Sequence, residues 1–216
     1  MGETKKLLKR VWHFIWEENS IWSWAVNIII AFILIKFIIY PGIGLLLGTN
    51  LPIVAVISES MEHNGNFNTW WTSPAYCGEQ TFTTTYTKCT QEAWYQQKNI
   101  SAADFLQYPM HNGFNKGDII ILTGAPYDAI KKGDIIVYQS HLSYPIIHRV
   151  VQKDDVIETK GDHNQAQIVN PSVNEKYITK DQVIGKAWFK IPYLGYVKIW
   201  FVDIIQCITF SGCSFN

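Results

Sequence analysis

The distribution of apolar residues divides the chain into one long hydrophobic stretch near its start and a series of short apolar runs after it. Residues 21–47 form the long stretch, and a membrane-spanning helix needs only about 20 apolar residues. Its polar exceptions are Ser23, Asn27 and Lys36. A cleavable signal peptide is the alternative, but it has a shorter apolar run and a small-residue cleavage site, which residues 45–53 do not offer. We therefore expect an uncleaved transmembrane anchor over residues 21–48.

Basic residues before the hydrophobic stretch predict its orientation. They are Lys5, Lys6, Lys9 and Arg10. Because positively charged flanks tend to stay in the cytoplasm, residues 1–20 are predicted to be cytoplasmic. We expect a single-pass protein of the cell membrane, with everything after the anchor on the extracytoplasmic side.

Short apolar runs bounded by turn residues follow the anchor and predict β-strands. Two of these runs begin directly after a Gly-Asp pair, at Gly117-Asp118 and Gly133-Asp134, and such pairs favour turns. The runs cover residues 52–57, 119–122, 135–138, 144–151, 156–159, 183–189 and 196–201. We predict a mainly β fold, with an antiparallel β-domain over residues 49–194 that is either open or partly closed into a barrel.

Residues 62–114 interrupt this pattern. They are rich in Thr, Asn, Gln, Trp and Tyr, and a segment of this length without local structure is uncommon in a compact domain. We predict an inserted subdomain or a long ordered loop. Cys77 and Cys89 within it either form a disulfide bond, if the segment is extracytoplasmic, or are two unrelated thiols. The triplet Asn99-Ile100-Ser101 matches an N-glycosylation sequon, a pattern that also arises by chance.

The last segment, residues 195–216, is apolar but short for a membrane span, and it contains Lys198 and Asp203. We expect a strand followed by a helix that packs on the domain or lies in the membrane interface. A second membrane span is the alternative. Cys207 and Cys213 in this segment are interpreted as buried free thiols.

Composition and charge argue against several classes of protein. The chain is 48% hydrophobic, which is enough for a packed core, and its formal net charge is zero. A neutral chain is a poor match for nucleic acid, which usually requires a basic face. The four cysteines lack the spacing of a zinc site, and no histidine pair lies at ligand spacing beside them. We expect no metal site.

A serine at the end of a predicted strand is the first candidate for covalent catalysis. Acyl transfer needs a nucleophile, a base within hydrogen-bonding reach and donors for the oxyanion. Ser60 follows the run 52–57, where a strand end would hold it rigidly. Ser58 lies two residues earlier, on the same side of an extended chain, so its hydroxyl could join the Ser60 N–H in binding an oxyanion. An ordinary polar strand end is the alternative interpretation.

His148 lies within the apolar run 145–150 and is the candidate base, with a satisfied core histidine as the alternative. Asp162 follows the next predicted strand, and a neighbouring strand can bring its carboxylate to the histidine. The three residues would then form a triad, which is defined by roles and geometry rather than by chain order. The other histidines of the predicted domain are mostly expected at the surface: His63, His111, His141 and His163.

Five segments, taken in order, resemble the sequence boxes of the type I signal peptidases. They are residues 48–61 with Ser60, 133–138, 148–150 with the base, 160–164 with the acid, and 191–196. No single segment is specific to this family, but five of them in this order after an N-terminal anchor are specific to it. Together they cover about residues 40–200 apart from the insertion. Histidine at the base position, instead of lysine, is similar to the archaeal and endoplasmic-reticulum branch of the family.

The resemblance implies a mostly β catalytic domain outside the cytoplasm. It implies that signal peptides are removed from secreted precursors after small residues at the third and first positions before the cut. Ser60 would attack, His148 would take and return the proton, and the Ser60 N–H with Ser58 would form the oxyanion hole. The implied partners are signal-peptide-bearing precursors, membrane lipid and the secretion translocon, and no cofactor is implied.

The acid departs from the pattern of this family. Members of the branch usually carry a second aspartate several residues beyond the Gly-Asp pair, but residues 165–174 contain no carboxylate. Either Asp162 orients His148, which we expect, or Asn170 does so as a neutral partner.

Two other functions fit the same sequence. A non-catalytic, membrane-anchored binding or assembly subunit on the same fold is favoured by the missing second aspartate, but the presence of both Ser60 and His148 argues against it. A maturation peptidase of narrow specificity would use the insertion around Trp70-Trp71 to select substrates or to bind a partner.

Overall fold

A computed structural model of the chain describes residues 2–78 and 87–196, and it divides into two compact units, Met1–Leu46 and Leu47–Asn216. The sequence predictions for residues 197–216, among them a membrane-associated tail and the thiols Cys207 and Cys213, lie outside the described residues.

The first unit is helical. Helix α1 is Gly2–Trp16, and a second helical run consists of α2 (Ile21–Leu34), a π-helical turn (Ile35–Ile39) and α3 (Tyr40–Leu47). The run Ile21–Leu47 is long and apolar enough to cross a membrane by length and composition. Pro41 explains the π turn. Proline has no N–H to donate to the carbonyl four residues earlier, so the helical hydrogen bonds just before it change their spacing.

Two polar residues of the hydrophobic stretch bond the C-terminal end of α1. The Ser23 hydroxyl donates to the carbonyl of Phe14 at 2.6 Å, and the Asn27 amide donates to the carbonyl of Ile15 at 2.9 Å. The last carbonyls of a helix have no partner within it. Ser23 and Asn27 therefore supply hydrogen bonds to two backbone carbonyls, which would be unfavourable without a partner in an apolar surrounding.

The second unit is built on β-strands. Within the described residues, six of them form one antiparallel sheet in the order β1-β4-β8-β5-β6-β7. Their bounds are β1 Ile53–Ala55, β4 Ile119–Thr123, β5 Ile135–Tyr138, β6 Ile146–Lys153, β7 Ile157–Lys160 and β8 Val183–Ile191. The predicted mainly β fold is confirmed, and β5 begins and ends where the apolar pattern predicts. The predicted run 196–201 extends beyond the described residues.

The two Gly-Asp pairs form the turns that the sequence predicts. Gly117 and Gly133 have φ of 89° and 92°, a region that residues with a side chain rarely adopt. The carboxylates of Asp118 and Asp134 then accept hydrogen bonds from the backbone N–H three residues earlier, at 3.0 and 2.9 Å. Each pair thus closes the turn before its strand, β4 or β5.

The insertion forms a small subdomain around an aromatic cluster. Its elements are α4 Phe67–Trp71, β2 Pro74–Cys77, β3 Thr87–Thr90, α5 Gln91–Gln97 and α6 Ala102–Leu106. Cys77 and Cys89 form a disulfide bond across the β2–β3 hairpin. The cluster is almost fully buried and includes Trp70, Trp71, Tyr95, Ile100 and Phe105. Aromatic packing therefore replaces the aliphatic core that residues 62–114 lack.

Candidate active site

Ser60 and His148 meet at one edge of the second unit. The Ser60 hydroxyl lies 2.9 Å from Nε2 of His148, which is within hydrogen-bonding distance. Ser60 comes just after β1, whereas His148 lies on β6, and three strands separate β1 from β6 in the sheet. The sheet must therefore curl strongly to bring the two residues together.

Glu175 is the carboxylate that contacts the histidine. Its Oε1 lies against Nδ1 of His148, and the Glu175 side chain is fully buried. Its Oε2 accepts the N–H of Ile168, and its main-chain carbonyl accepts the N–H of Thr159 at 2.8 Å. Side chain and backbone are thus both held, and the three polar groups form the series Ser60, His148, Glu175.

Asp162 does not occupy the position that the sequence predicts for it. Its carboxylate pairs with Arg149, with Oδ2 at 2.7 Å from the terminal Nη2 and Oδ1 at 2.9 Å from Nε. It also accepts bonds at 3.0 Å from the Tyr95 hydroxyl and from Nε2 of His63. The expectation that Asp162 orients His148 is therefore corrected: its oxygens are used by a buried cation and two aromatic residues.

Electrostatics keep Asp162 ionised. Burial alone would raise the pKa of its carboxyl, but the charge of Arg149 and the hydrogen bonds from His63 and Arg149 outweigh burial and hold the pKa well below its usual range. His63 is not a surface residue as the sequence suggests, since its side chain is 3% exposed and stacks on Trp70 at 3.7 Å. Asp162 is thus the centre of a buried ionic cluster.

Strand alternation explains how adjacent residues have different environments. His148 and Arg149 are neighbours on β6, and successive side chains of a strand point to opposite faces. His148 faces Ser60, whereas Arg149 packs on the Phe105 ring of the insertion and donates to the carbonyls of Pro109 and Met110. One strand therefore connects the candidate active site to the insertion.

Asn170, the neutral alternative to Asp162, lies in a turn. Its side-chain oxygen accepts the backbone N–H groups of Ser172 and Val173, both at 2.9 Å. It is exposed, and no contact to His148 is among its bonds. Asn170 shapes the loop in front of Glu175 but is not the partner of the histidine.

The segment that follows β7 also holds the nucleophile. The N–H of His163 donates to the carbonyl of Ser60 at 2.9 Å. A Cβ on Gly161 would lie 2.7 Å from that same carbonyl oxygen, so only glycine allows the two backbones to approach this closely. The Gly-Asp-His turn therefore fixes the backbone of Ser60.

Ser58 lies beside the nucleophile, with its hydroxyl oxygen 3.2 Å from that of Ser60. Both side chains line a groove of about 580 Å³ that also contains His148. The rest of the lining is largely apolar: Leu51, Ile53, Val54, Ala55, Val56, Ile57, Leu142, Tyr144, Pro145, Ile146, Ile147, Asn164, Ile168 and Val173. The shape and lining suit an extended, apolar peptide segment.

Among residues 2–78 and 87–196, no group of three or more His, Cys, Asp or Glu is arranged to hold a metal ion.

Sequence reasoning missed Glu175 by one position. It lies directly after the stretch 165–174, in which an acid was expected and none is present. The isolated bridge between Val169 and Asn174 folds this stretch back on itself and brings Glu175 to the histidine. The sequence does offer one indication of Glu175: it is a carboxylate that lies between the turn residues Asn170-Pro171 and the apolar Ile178.

No family model matches the chain. It is similar to signal peptidase complex catalytic subunit SEC11C of Homo sapiens, with 33% identity over 98 residues, which is 42% of this chain and 51% of that protein. It is also similar to signal peptidase complex catalytic subunit SEC11 of Zygosaccharomyces rouxii, with 31% identity over 100 residues and 59% of that protein covered. The corresponding protein of Lachancea thermotolerans is 32% identical over 101 residues, with 60% covered. The chain thus spans between half and two thirds of the length of these curated relatives.

Proposed function

We propose that this chain, a distant homologue of signal peptidase catalytic subunits, is a membrane-bound serine endopeptidase that removes N-terminal signal peptides from secreted precursors. The observation that carries the proposal is the series of contacts from Ser60 to His148 to Glu175 at the apolar groove. A hydroxyl, an imidazole and a buried carboxylate in contact are the arrangement that activates a serine for acyl transfer.

The contacts assign a role to each residue. Glu175 accepts a hydrogen bond from the Nδ1–H of His148, which leaves Nε2 unprotonated and able to take the proton of the Ser60 hydroxyl as that oxygen attacks the scissile carbonyl. The negative charge of Glu175 then stabilises the imidazolium that forms. His148 returns the proton to the leaving amine, and it next activates a water molecule that hydrolyses the acyl-enzyme.

The oxyanion would be bound next to Ser60. Its own backbone N–H and the Ser58 hydroxyl, which lies 3.2 Å from the nucleophilic oxygen, are the proposed donors. The backbone contact from His163 keeps the Ser60 peptide in place during this step.

The groove favours a substrate that binds as an extra strand. Strand β1 is at the end of the sheet, and in the part of the chain that the structure describes it pairs only with β4. A peptide could add to its other side, with backbone hydrogen bonds for affinity and alternate side chains in the groove. Bulky groove residues such as Tyr144 and Ile146 would favour small substrate residues next to the cut.

The proposed topology follows from the N-terminal helices. The helical run Ile21–Leu47 would be the anchor, the basic α1 would lie on the cytoplasmic side, and the second unit would lie on the opposite side, where precursors emerge. Precursors, membrane lipid and the secretion translocon are accordingly the proposed partners.

The non-catalytic alternative loses its support. That alternative rested on the missing acid, and Glu175 supplies a buried carboxylate at His148. The narrow maturation peptidase remains a question of substrate range, which experiment can decide.

The test is cleavage of a panel of unrelated precursors by the detergent-solubilised full chain and by Ser60→Ala. We expect the wild type to cut several precursors after a small-x-small site, mapped by the N-terminal sequence of each product, and Ser60→Ala to cut none. Cleavage of one precursor alone would favour the narrow peptidase. Cleavage of none, by a folded wild type, would contradict the proposal.

A further inference from the structure

The loop that carries Glu175 is connected to the insertion by hydrogen bonds beyond those at Asp162. We name residues 161–179, between β7 and the short helix Lys180–Gln182, the acid loop. The backbone N–H of Tyr76, on the disulfide-bonded hairpin, donates to the carbonyl of Gln165 at 2.9 Å. The Gln91 amide donates to the carbonyl of Asn164 at 3.0 Å. Both acceptors belong to the first part of the acid loop.

Gln91 is placed for this contact by its own helix. It is the first residue of α5, and the Thr90 hydroxyl caps that helix by accepting the N–H of Ala93 at 3.2 Å. The backbone N–H of Gln91 donates to Ser73 at 2.9 Å, so the residue is held from both sides. The residue is 1% exposed, although glutamine is usually a surface residue.

The Gln91 side chain connects two segments. Its oxygen accepts a hydrogen bond from Nζ of Lys160 at 2.8 Å, at the end of β7, while its nitrogen holds Asn164 in the acid loop. Lys160 is itself fully buried beneath the rings of Trp94 and Tyr95. The Gln91 amide therefore joins the end of β7 to the acid loop at Asn164, two residues beyond Asp162, which the insertion holds through His63, Trp70 and Tyr95.

The connection continues to the histidine. Four residues after Asn164, the N–H of Ile168 donates to Oε2 of Glu175, and the N–H of Glu175 donates back to the carbonyl of Ile168 at 2.9 Å. Glu175 then contacts His148. A shift of the loop at Asn164 would thus be passed to the carboxylate through one short stretch of backbone.

We propose that Gln91 is a positioning residue, through which the insertion holds the acid loop in the conformation that keeps Glu175 on His148. The inference rests on the proposed peptidase function. It gives residues 62–114 a role in the reaction rather than only in packing. Gln91 does not line the groove, whereas Asn164 and Ile168 of the acid loop do, so the specific prediction is a fall in kcat that depends on Glu175.

The test is Gln91→Met, which keeps the length of the side chain and removes both hydrogen bonds. We expect kcat for precursor cleavage to fall by about 10-fold or more, and by a larger factor than any rise in KM, since small misplacements of a catalytic group are costly. Gln96→Met is the matched control: it makes the same change on α5 at an exposed side chain, which donates to Glu92 at 3.2 Å, and it should keep the wild-type rate.

Coupling to Glu175 separates positioning from general destabilisation. If Gln91 acts through Glu175, the double variant Gln91→Met/Glu175→Gln should be no slower than Glu175→Gln alone. Losses that multiply, or a wild-type kcat in Gln91→Met, would overturn the inference. Should Gln91→Met fail to fold, Gln91→Glu keeps an acceptor for Lys160, now a carboxylate, and replaces the donor to Asn164 by an acceptor, so a wild-type kcat in that variant would equally overturn it.

Failure of the proposed function has a different signature. A wild type that cleaves no precursor, or cleavage that survives Ser60→Ala in the same assay, would overturn that function and this inference with it. Cleavage that needs Ser60 but is indifferent to Gln91 would overturn the inference alone.

Discussion

Replacing Asp162 by asparagine should destabilise the protein while leaving the chemistry of the folded fraction largely intact. In the structure the carboxylate compensates Arg149, whose side chain is fully buried, and also accepts bonds from His63 and Tyr95. The substitution leaves a buried guanidinium without its counter-charge, and it forces an amide N–H₂ group toward residues that are themselves donors.

The magnitude follows from those contacts. Breaking a buried ion pair by removing one partner costs about 3–5 kcal/mol. Arg149 keeps the carbonyls of Pro109, Met110 and Gly133 as acceptors, which places the expectation near the lower end, about 3 kcal/mol. For a domain of this size that corresponds to a fall in Tm of roughly 6–12 °C.

The assay is thermal unfolding of the detergent-solubilised full chain, followed by kcat for precursor cleavage well below the transition. Asp155→Asn, the same change at an exposed position, should alter stability by less than about 0.5 kcal/mol. An Asp162→Asn variant with wild-type Tm and a kcat lowered by about 10³-fold or more would refute the reasoning, because Asp162 would then be the acid of the triad.

Four further outcomes are expected. Glu175→Gln should lower kcat by about 10²- to 10⁴-fold with little change in KM, because the imidazolium loses its counter-charge; wild-type kcat would contradict this. Ser58→Ala should lower kcat by about 10²-fold if its hydroxyl binds the oxyanion, whereas a change confined to KM would contradict that role. Burial lowers the pKa of Lys160 to about 7. The same lysine in the unfolded chain has a pKa of about 10.4, so between these two values the unfolded chain binds more protons than the folded one. The free energy of unfolding, measured relative to Lys160→Met, should therefore rise with pH by up to about 1.4 kcal/mol per pH unit. A difference between the two proteins that does not change with pH would contradict this. Asn99 is exposed, so synthesis into endoplasmic-reticulum microsomes should add one glycan that Asn99→Gln lacks; an unmodified chain in microsomes that glycosylate a control protein would contradict the proposed topology.

The sheet was predictable because its strands follow short-range rules. The apolar run 135–138 becomes β5 with the same bounds, and the Gly-Asp pairs close the turns that such pairs favour. The resemblance to type I signal peptidases is likewise confirmed by relatives that are named as catalytic subunits. Ser60 was singled out because it follows a predicted strand and His148 because it lies within an apolar run, and the structure brings them together.

The acid was not predictable, because its position depends on a loop and not on a strand. Asp162 follows a strand near the histidine, but it comes to lie beside Arg149, whose direction is set by alternation along β6. Glu175 reaches His148 only because residues 169–174 fold back on themselves, and nothing in the local pattern gives the geometry of that turn.

The insertion was predictable as a segment but not as a contributor to the site. Its composition separates it from the β-domain, yet His63 looks like a surface residue in sequence and is buried against Trp70. The reason is that the aromatic residues of the insertion build their own core and enclose two polar side chains, Lys160 at the end of β7 and Asp162 just after it. Burial by residues that are distant in the sequence cannot be predicted from a short stretch of sequence.

The central claim is that Ser60 and His148 act as one unit in peptide-bond cleavage. The most direct measurement compares the rates of precursor cleavage by the wild type, Ser60→Ala, His148→Ala and the double variant. Because residues that act as a unit are not additive, we predict that each single variant loses on the order of 10⁴- to 10⁶-fold and that the double variant is no slower than either. Cleavage that survives Ser60→Ala, or losses that multiply in the double variant, would contradict the account.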